Sequence, residues 1–333
     1  GIGGSFIGAK AFIDALGTDF PIYFAGNNLD SSYIAGILRE LEGKRYAVNV
    51  ISKSGTTMET KLVFDIFYAD MLKNGVNIKD SIYVTSSDGT KLYDFAKEHG
   101  MKTFSIAEDI GGRYSVFTAV GLLAMAACGL DIAKIAHGIR SAKADYYDKS
   151  DNIALDYAYY RHLASNDYAL EFISVYEERL KAFTEWIKQL LCESLAKEGK
   201  GLIVSNLTYT QDLHSMGQLL QEGRRNIIET HIYAESKEDL SIPHSEIIDA
   251  DSAKLTLKYV NETAFKATVK AHYEGGVPTC TIMLDELTEE SLARLAIFYM
   301  CSCIYNAALD GIDPYGQPGV EVYKKNIKNI LKE

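Results

Sequence analysis

Two hydrophobic periods recur along the chain. Short β-branched and apolar runs suit strands buried in a sheet, and longer stretches with apolar residues three and four apart suit helices with one buried face. Strand-like runs at residues 21–26, 46–51, 81–86 and 102–106 alternate with helical patterns at 32–41, 57–73 and 91–99. A loop at 109–113 follows, then a helical pattern over 115–128, with Gly129 suited to its C-terminal cap. The polar stretch 142–152 reads as a linker. A second series places strands at 168–175, 201–205, 227–233 and 279–284 among helices at 177–197, 212–223, 257–272 and 287–309. Residues 234–252 are acidic and irregular, and 319–332 form a last amphipathic helix. Apolar strands joined by helices predict an α/β fold of mainly parallel sheets covered on both faces, with sites at the strands' carboxyl ends. The two halves share this architecture but no readable repeat.

At 333 residues and 47% hydrophobic content, the chain has material for two full cores. A net charge of −11 argues against nucleic acid or an anionic membrane as the main partner. It leaves room for a small anion, because a few local donors outweigh a screened diffuse field. Five cysteines with no C-x-x-C spacing lie within apolar runs and read as buried thiols of a reducing compartment. The apolar run near 116–128 is too short to span a bilayer, and the opening carries no signal-peptide pattern, so a cytoplasmic enzyme is the expectation.

Candidate chemistry starts where the run ending at Ile51 meets Ser52-Lys53-Ser54-Gly55-Thr56-Thr57 and a helical pattern. Four hydroxyls, a glycine and a helix N-terminus at a strand's carboxyl end form a setting for phosphate oxygens, although an ordinary Ser/Thr-rich cap has the same composition. The opening Gly1-Ile2-Gly3-Gly4-Ser5 approaches a dinucleotide fingerprint, but Phe6 stands in place of the third glycine and no acidic residue ends a second strand. A tight turn bringing backbone N–H groups and Ser5 toward a ligand is the remaining reading. Arg113, after Gly111 and Gly112, has backbone freedom to approach a ligand, or simply pairs with a carboxylate. Gln189 and Glu193 share a helix face; beside Leu191 and Cys192 the carboxylate is either a desolvated base lifted toward neutral pKa or a solvated helix-end Glu. His214 opens a helix, and Lys324 lies near the chain's end beside Lys325; each also fits a structural or solvated position. No Ser-His-Asp elbow, H-E-x-x-H or EF-hand spacing is present, which leaves metal-free acid–base chemistry.

Taken in order, GIGGS (1–5), SKSGTT (52–57), GGRYS (111–115), Gln189 with Glu193-Ser194, DLHSMGQ (212–218), QEGRR (221–225) and QPGVEVYKKN (317–326) resemble the phosphoglucose isomerase family, especially its shorter bacterial form. The resemblance implies two sugar-isomerase (SIS) domains, each a three-layer αβα sandwich. They would cover 1–150, with the phosphate-binding loop, and 151–312, followed by a C-terminal helix at 313–333 carrying Lys324. It implies reversible aldose–ketose isomerisation of glucose 6-phosphate and fructose 6-phosphate through a cis-enediol(ate), with no cofactor and no metal. By resemblance, Ser52, Ser54, Thr56 and Thr57 hold the phosphate with Lys53 between them, and Gly4 and Ser5 line the sugar side. Glu193 is the base, Arg113 stabilises the enediolate, Gln189 and Gln317 position hydroxyls, and His214 with Lys324 opens the ring. A homodimer in which His214 serves the neighbouring subunit's site is also implied. The resemblance leaves open a non-catalytic sugar-phosphate sensor and a dual phosphoglucose/phosphomannose isomerase.

Two departures stand out. The family's strand feeding the GIGGS turn does not precede Gly1, which predicts an unfilled sheet edge and lower stability than a longer chain. Around Glu193, relatives more often show glycines beside the Glu and before the Lys, which predicts a different local loop.

Overall fold

The computed structural model describes residues 1–147, 149–243 and 255–330. The chain divides into two compact units, Gly1–Ala133 and Lys134–Glu333. Both are α/β with parallel sheets.

In the first unit, a 3-10 turn at Gly3–Ser5 leads into α1 (Ile7–Leu16) and α2 (Ser31–Leu41). Asp30 caps α2 by accepting from Ser32 N at 2.9 Å and Tyr33 N at 3.2 Å. Then come β1 (Val48–Ile51), α3 (Met58–Lys73), a single turn α4 (Ile78–Ser81), β2 (Ile82–Ser86), α5 (Lys91–Glu98), β3 (Lys102–Ser105) and α6 (Ala119–Ala127). The sheet runs β1-β2-β3, with Val48 opposite Ile82 and Tyr83 opposite Lys102. Val50, Ile82, Val84, Met71, Ala96 and Met101 form its main core.

Two expectations fail in this unit. Residues 21–26 are not a strand; 21–25 have no regular structure and Gly26 lies in a bend. They border an apolar cavity of about 830 Å³ whose walls include Val48, Val50 and Phe67. The helix expected over 115–128 is split: Gly112–Phe117 is a 3-10 segment, and Thr118, extended at φ −105° and ψ −173°, restarts the chain as α6. Thr118 Oγ1 accepts from Val120 N at 3.2 Å, which caps the new helix.

The division falls at 133/134, ahead of the expected 150. The stretch expected to be a linker begins inside a helix, α7 (Ile132–Tyr146), with Ala142 and Tyr146 buried. α7 lies so close to the start of a later helix that a Cβ on Gly138 would sit 2.5 Å from Glu290 O.

The second unit continues with α8 (Ile153–Ala164), β4 (Leu170–Val175), α9 (Lys181–Leu195), β5 (Ile203–Thr208), α10 (Gly217–Glu222), β6 (Ile227–Ala234), α11 (Leu257–Glu274), β7 (Thr279–Leu284), α12 (Glu289–Asp310) and α13 (Glu321–Ile330). The sheet order is β5-β4-β6-β7, parallel throughout. Part of the expected acidic excursion, 244–252, lies outside the described residues. The helix expected over 212–223 is broken into a 3-10 turn, Gln211–His214, and α10, because the Asp212 carboxylate folds back onto Thr208 N at 2.7 Å and Ser215 Oγ at 2.8 Å.

Strand alternation gives this sheet two polar networks on opposite faces. On one face Glu171 of β4, fully buried, accepts from Arg161 Nε at 2.7 Å, Tyr157 OH at 2.6 Å and Thr230 Oγ1 at 2.7 Å. On the other, Glu229 of β6 accepts from Ser174 Oγ and Tyr209 OH, both at 2.5 Å. Among the described residues α12 is the one helix long and apolar enough to cross a membrane; 61% of its apolar window is buried inside the protein, as in a core helix.

Candidate active site

In the first unit the residues singled out from sequence converge on the carboxyl end of β1. Ser52 is buried, its N–H closes onto Thr85 O at 3.1 Å, and its hydroxyl donates to Thr57 Oγ1 at 3.1 Å. Thr57 is the N-cap of α3, but its side chain makes no capping bond. Ser54 Oγ and Thr56 Oγ1 lie 3.0 Å apart, and Gly55, at φ +63°, makes the turn between them. Hydroxyls thus ring a helix start whose N–H groups have no side-chain cap, an arrangement that stabilises an oxyanion. The loop is braced from below by Ser86, whose hydroxyl donates to Ser52 O at 2.7 Å, and by Ser87 N bonded to Lys53 O at 3.0 Å. The sequence reading did not single out these supports.

Lys53 turns elsewhere. Its ammonium donates to the carbonyls of Glu108 and, at 3.0 Å, Ile110, in the loop that leads to Arg113. Arg113 is 1% exposed on the 3-10 segment, with its guanidinium 5.4 Å from the Tyr114 ring centre. The 3-10 turn carrying Gly4 and Ser5 packs directly on this segment. A Cβ on Gly4 would lie 2.1 Å from Gly112 C and O and 2.6 Å from Arg113 N, so only glycine lets the two backbones meet. Neither backbone can yield cheaply. Gly4→Ala is therefore expected to cost about 2–3 kcal/mol in urea unfolding; an unchanged midpoint would show that the turn relaxes freely.

In the second unit, Gln189 and Glu193 lie one turn apart on α9, and Gln189 Nε2 donates to Glu193 Oε2 at 3.3 Å. α9 runs unbroken through both, to Leu195, anchored by buried Trp186, Leu190 and Leu191. The Gln189 carbonyl oxygen is buried and accepts no hydrogen bond among the described residues, an unmet acceptor suited to a hydroxyl. His214 is exposed at the end of its 3-10 turn, which the Asp212 bonds hold in place. Gln317 and Lys324 are exposed on a turn and on α13, where Lys324 Nζ bonds Glu321 Oε1 at 2.7 Å.

Glu177, at the carboxyl end of β4, was not singled out from sequence. Burial pushes its carboxyl up to about 7, against the donated Ala234 N–H at 3.3 Å. A carboxyl raised in the folded state binds its proton more tightly there than in the unfolded chain. Its contribution to stability therefore falls by about 3 kcal/mol as pH rises from about 4.5 to about 7, then levels. Glu177→Gln is expected to abolish that slope, so that the variant gains on wild type in urea melts at pH 8 but not at pH 4.5; parallel pH profiles would contradict it.

The phosphoglucose isomerase family model matches residues 1–333. The glucose-6-phosphate isomerase of Caldanaerobacter subterraneus is 39% identical, covering 99% of this chain and 78% of that protein. That of Clostridium perfringens is 41% identical over 99% and 78%. A solved hypothetical protein from Thermus thermophilus superposes with a TM-score of 0.94 at 28% identity, covering 100% of this chain and 83% of the other. A glucose-6-phosphate isomerase from Chlamydia trachomatis gives 0.84 at 22%, over 99% and 68%, which speaks to the fold. With the family model matching residues 1–333 and relatives 39% and 41% identical over 99% of its length, the chain belongs to the phosphoglucose isomerase family.

Proposed function

We propose that the chain interconverts glucose 6-phosphate and fructose 6-phosphate, the reaction named for its relatives. The observation that carries the reading beyond family membership is the pairing, in one unit, of an uncapped helix start ringed by hydroxyls with a buried arginine on an adjoining loop. The first supplies dipoles for a phosphate. The second supplies a cation for the charge that develops on an enediolate.

In this reading Ser52, Ser54, Thr56 and Thr57 bind the phosphate, and Gly4 and Ser5 border the sugar. Glu193 removes the proton from C2 of the open-chain aldose and returns it to C1, while Gln189 and Gln317 orient hydroxyls. Arg113 stabilises the enediolate oxygen. His214 and Lys324 protonate and deprotonate the ring oxygen and its hydroxyl during opening, His214 in a homodimer serving the partner's site. The side chains supply one base, one cation and one acid–base pair, which is what an aldose–ketose shift requires.

The test is isomerisation in deuterated water. Net conversion with deuterium entering at C2 of glucose 6-phosphate is expected, because a proton held by a carboxylate exchanges with solvent. Turnover without any exchange would overturn the carboxylate relay, and binding without turnover would select the sugar-phosphate sensor. Mannose 6-phosphate turned over at a similar rate would select the dual isomerase.

A further inference from the structure

On the α11 side of the second sheet lies a group of side chains for which isomerisation has no use. Glu229 and His231, two apart on β6, point to the same face, where His272 of α11 meets them. The two β6 residues are fully buried and His272 is 3% exposed. Their ligand atoms all lie within 4.8 Å of one another. Glu229 Oε2 is 2.7 Å from His272 Nδ1 and 3.3 Å from His231 Nε2. Ser174 and Tyr209 already donate to the other oxygen, Oε1, which fixes the carboxylate and leaves Oε2 to the imidazoles. His231 is the anomaly: fully buried in an aromatic wall that includes Tyr209 and Phe265, it makes no hydrogen bond at either ring nitrogen among the described residues, its Nε2 meeting the Glu229 carboxylate only at ion-pair distance, 3.3 Å. An imidazole so placed leaves its ring nitrogens poorly satisfied, at a cost to the fold.

We propose that Glu229, His231 and His272 form a binding site for one divalent ion of the zinc type. Two imidazoles and a carboxylate suit Zn²⁺ and its neighbours Co²⁺ and Ni²⁺, and disfavour the oxygen-seeking Mg²⁺ and Ca²⁺. Tetrahedral zinc with bonds of about 2.0–2.1 Å sets its ligand atoms roughly 3.3 Å apart. The His231–Glu229 distance meets that value, and the His272–Glu229 contact would open by about 0.6 Å. Ser174 and Tyr209 orient the carboxylate as outer partners of a metal site do. The ion would tie β6 to α11 from within, and burial means that it enters as the chain folds.

The full chain would be expressed in defined medium with Co²⁺, with Zn²⁺, or depleted of both. Wild type is expected to retain about one ion per chain through gel filtration, to show Co²⁺ ligand-field bands without a thiolate charge-transfer band, and to melt several degrees higher than depleted protein. His231→Val and His272→Gln are expected to lose the bands and the melting shift while keeping their far-ultraviolet dichroism; should one not fold, the other decides. Wild type without retained metal overturns the proposal, as does a thiolate band tracing the ion to the cysteines. A Co²⁺ signal undiminished in the folded variant overturns it equally.

Discussion

Glu193→Gln is expected to lower kcat for isomerisation by about 10³-fold or more while leaving KM within a few-fold of wild type. The substitution keeps the side chain's shape and its contact with Gln189, whose Nε2 lies 3.3 Å from Glu193 Oε2. On the role proposed for Glu193, what it removes is the ability to hold a proton between C2 and C1, an interaction made only on the way to the transition state, so the loss falls on kcat. Glu193→Asp separates chemistry from position. The carboxylate survives but retreats by one methylene, and a displacement of that size costs about 10²-fold. The order wild type, Asp, Gln, measured by coupled assay in both directions, supports Glu193 as the base. A Gln variant with near-normal turnover assigns that role elsewhere.

Arg161→Met is expected to cost about 3–5 kcal/mol of unfolding free energy in the second unit. Arg161 is 2% exposed and Glu171 fully buried. The guanidinium also donates to Asn306 Oδ1 at 2.6 Å, tying α8 to α12 across the same network. Removing it leaves a fully buried carboxylate without its guanidinium counter-charge. The partner test is Arg161→Met with Glu171→Gln, which drops both charges and keeps an acceptor for the Tyr157 and Thr230 hydroxyls. Because the desolvation cost of the pair disappears with the pair, the double variant is expected to recover most of the loss. A single variant within about 1 kcal/mol of wild type would mean that the carboxylate takes up a proton at little cost.

β4 and β6, each with a partner on both sides, were readable because β-branched and apolar residues dominate them, although Glu171, Ser174, Glu229, Thr230 and His231 interrupt the run. Residues 21–26 have strand-like composition too, but pairing is decided by what lies alongside, which composition does not record. α8 escaped because its tyrosines, Arg161 and His162 blur the apolar face; its polar members point inward to the buried network. The break at Thr118 was hidden inside an apolar run that reads as continuous helix. At the site, the hydroxyl loop after β1 announced itself by residue type. The partners of Lys53 did not, since they are backbone carbonyls 55 and 57 residues away, and any residue supplies a carbonyl. Glu193 became distinctive only through the ordered set of motifs around it.

That lysine has a mechanical consequence. By strapping the hydroxyl loop to the loop leading to Arg113, Lys53 makes the proposed phosphate seat and the guanidinium mount one bracket. In the proposed function, the grip on a phosphate, a group that takes no part in bond making, is thereby transmitted to the place where charge is assigned. Binding energy gained at one end of the sugar is spent at the other. On such a bracket, unphosphorylated glucose is more than a weakly held substrate: it arrives without the handle that sets the tool.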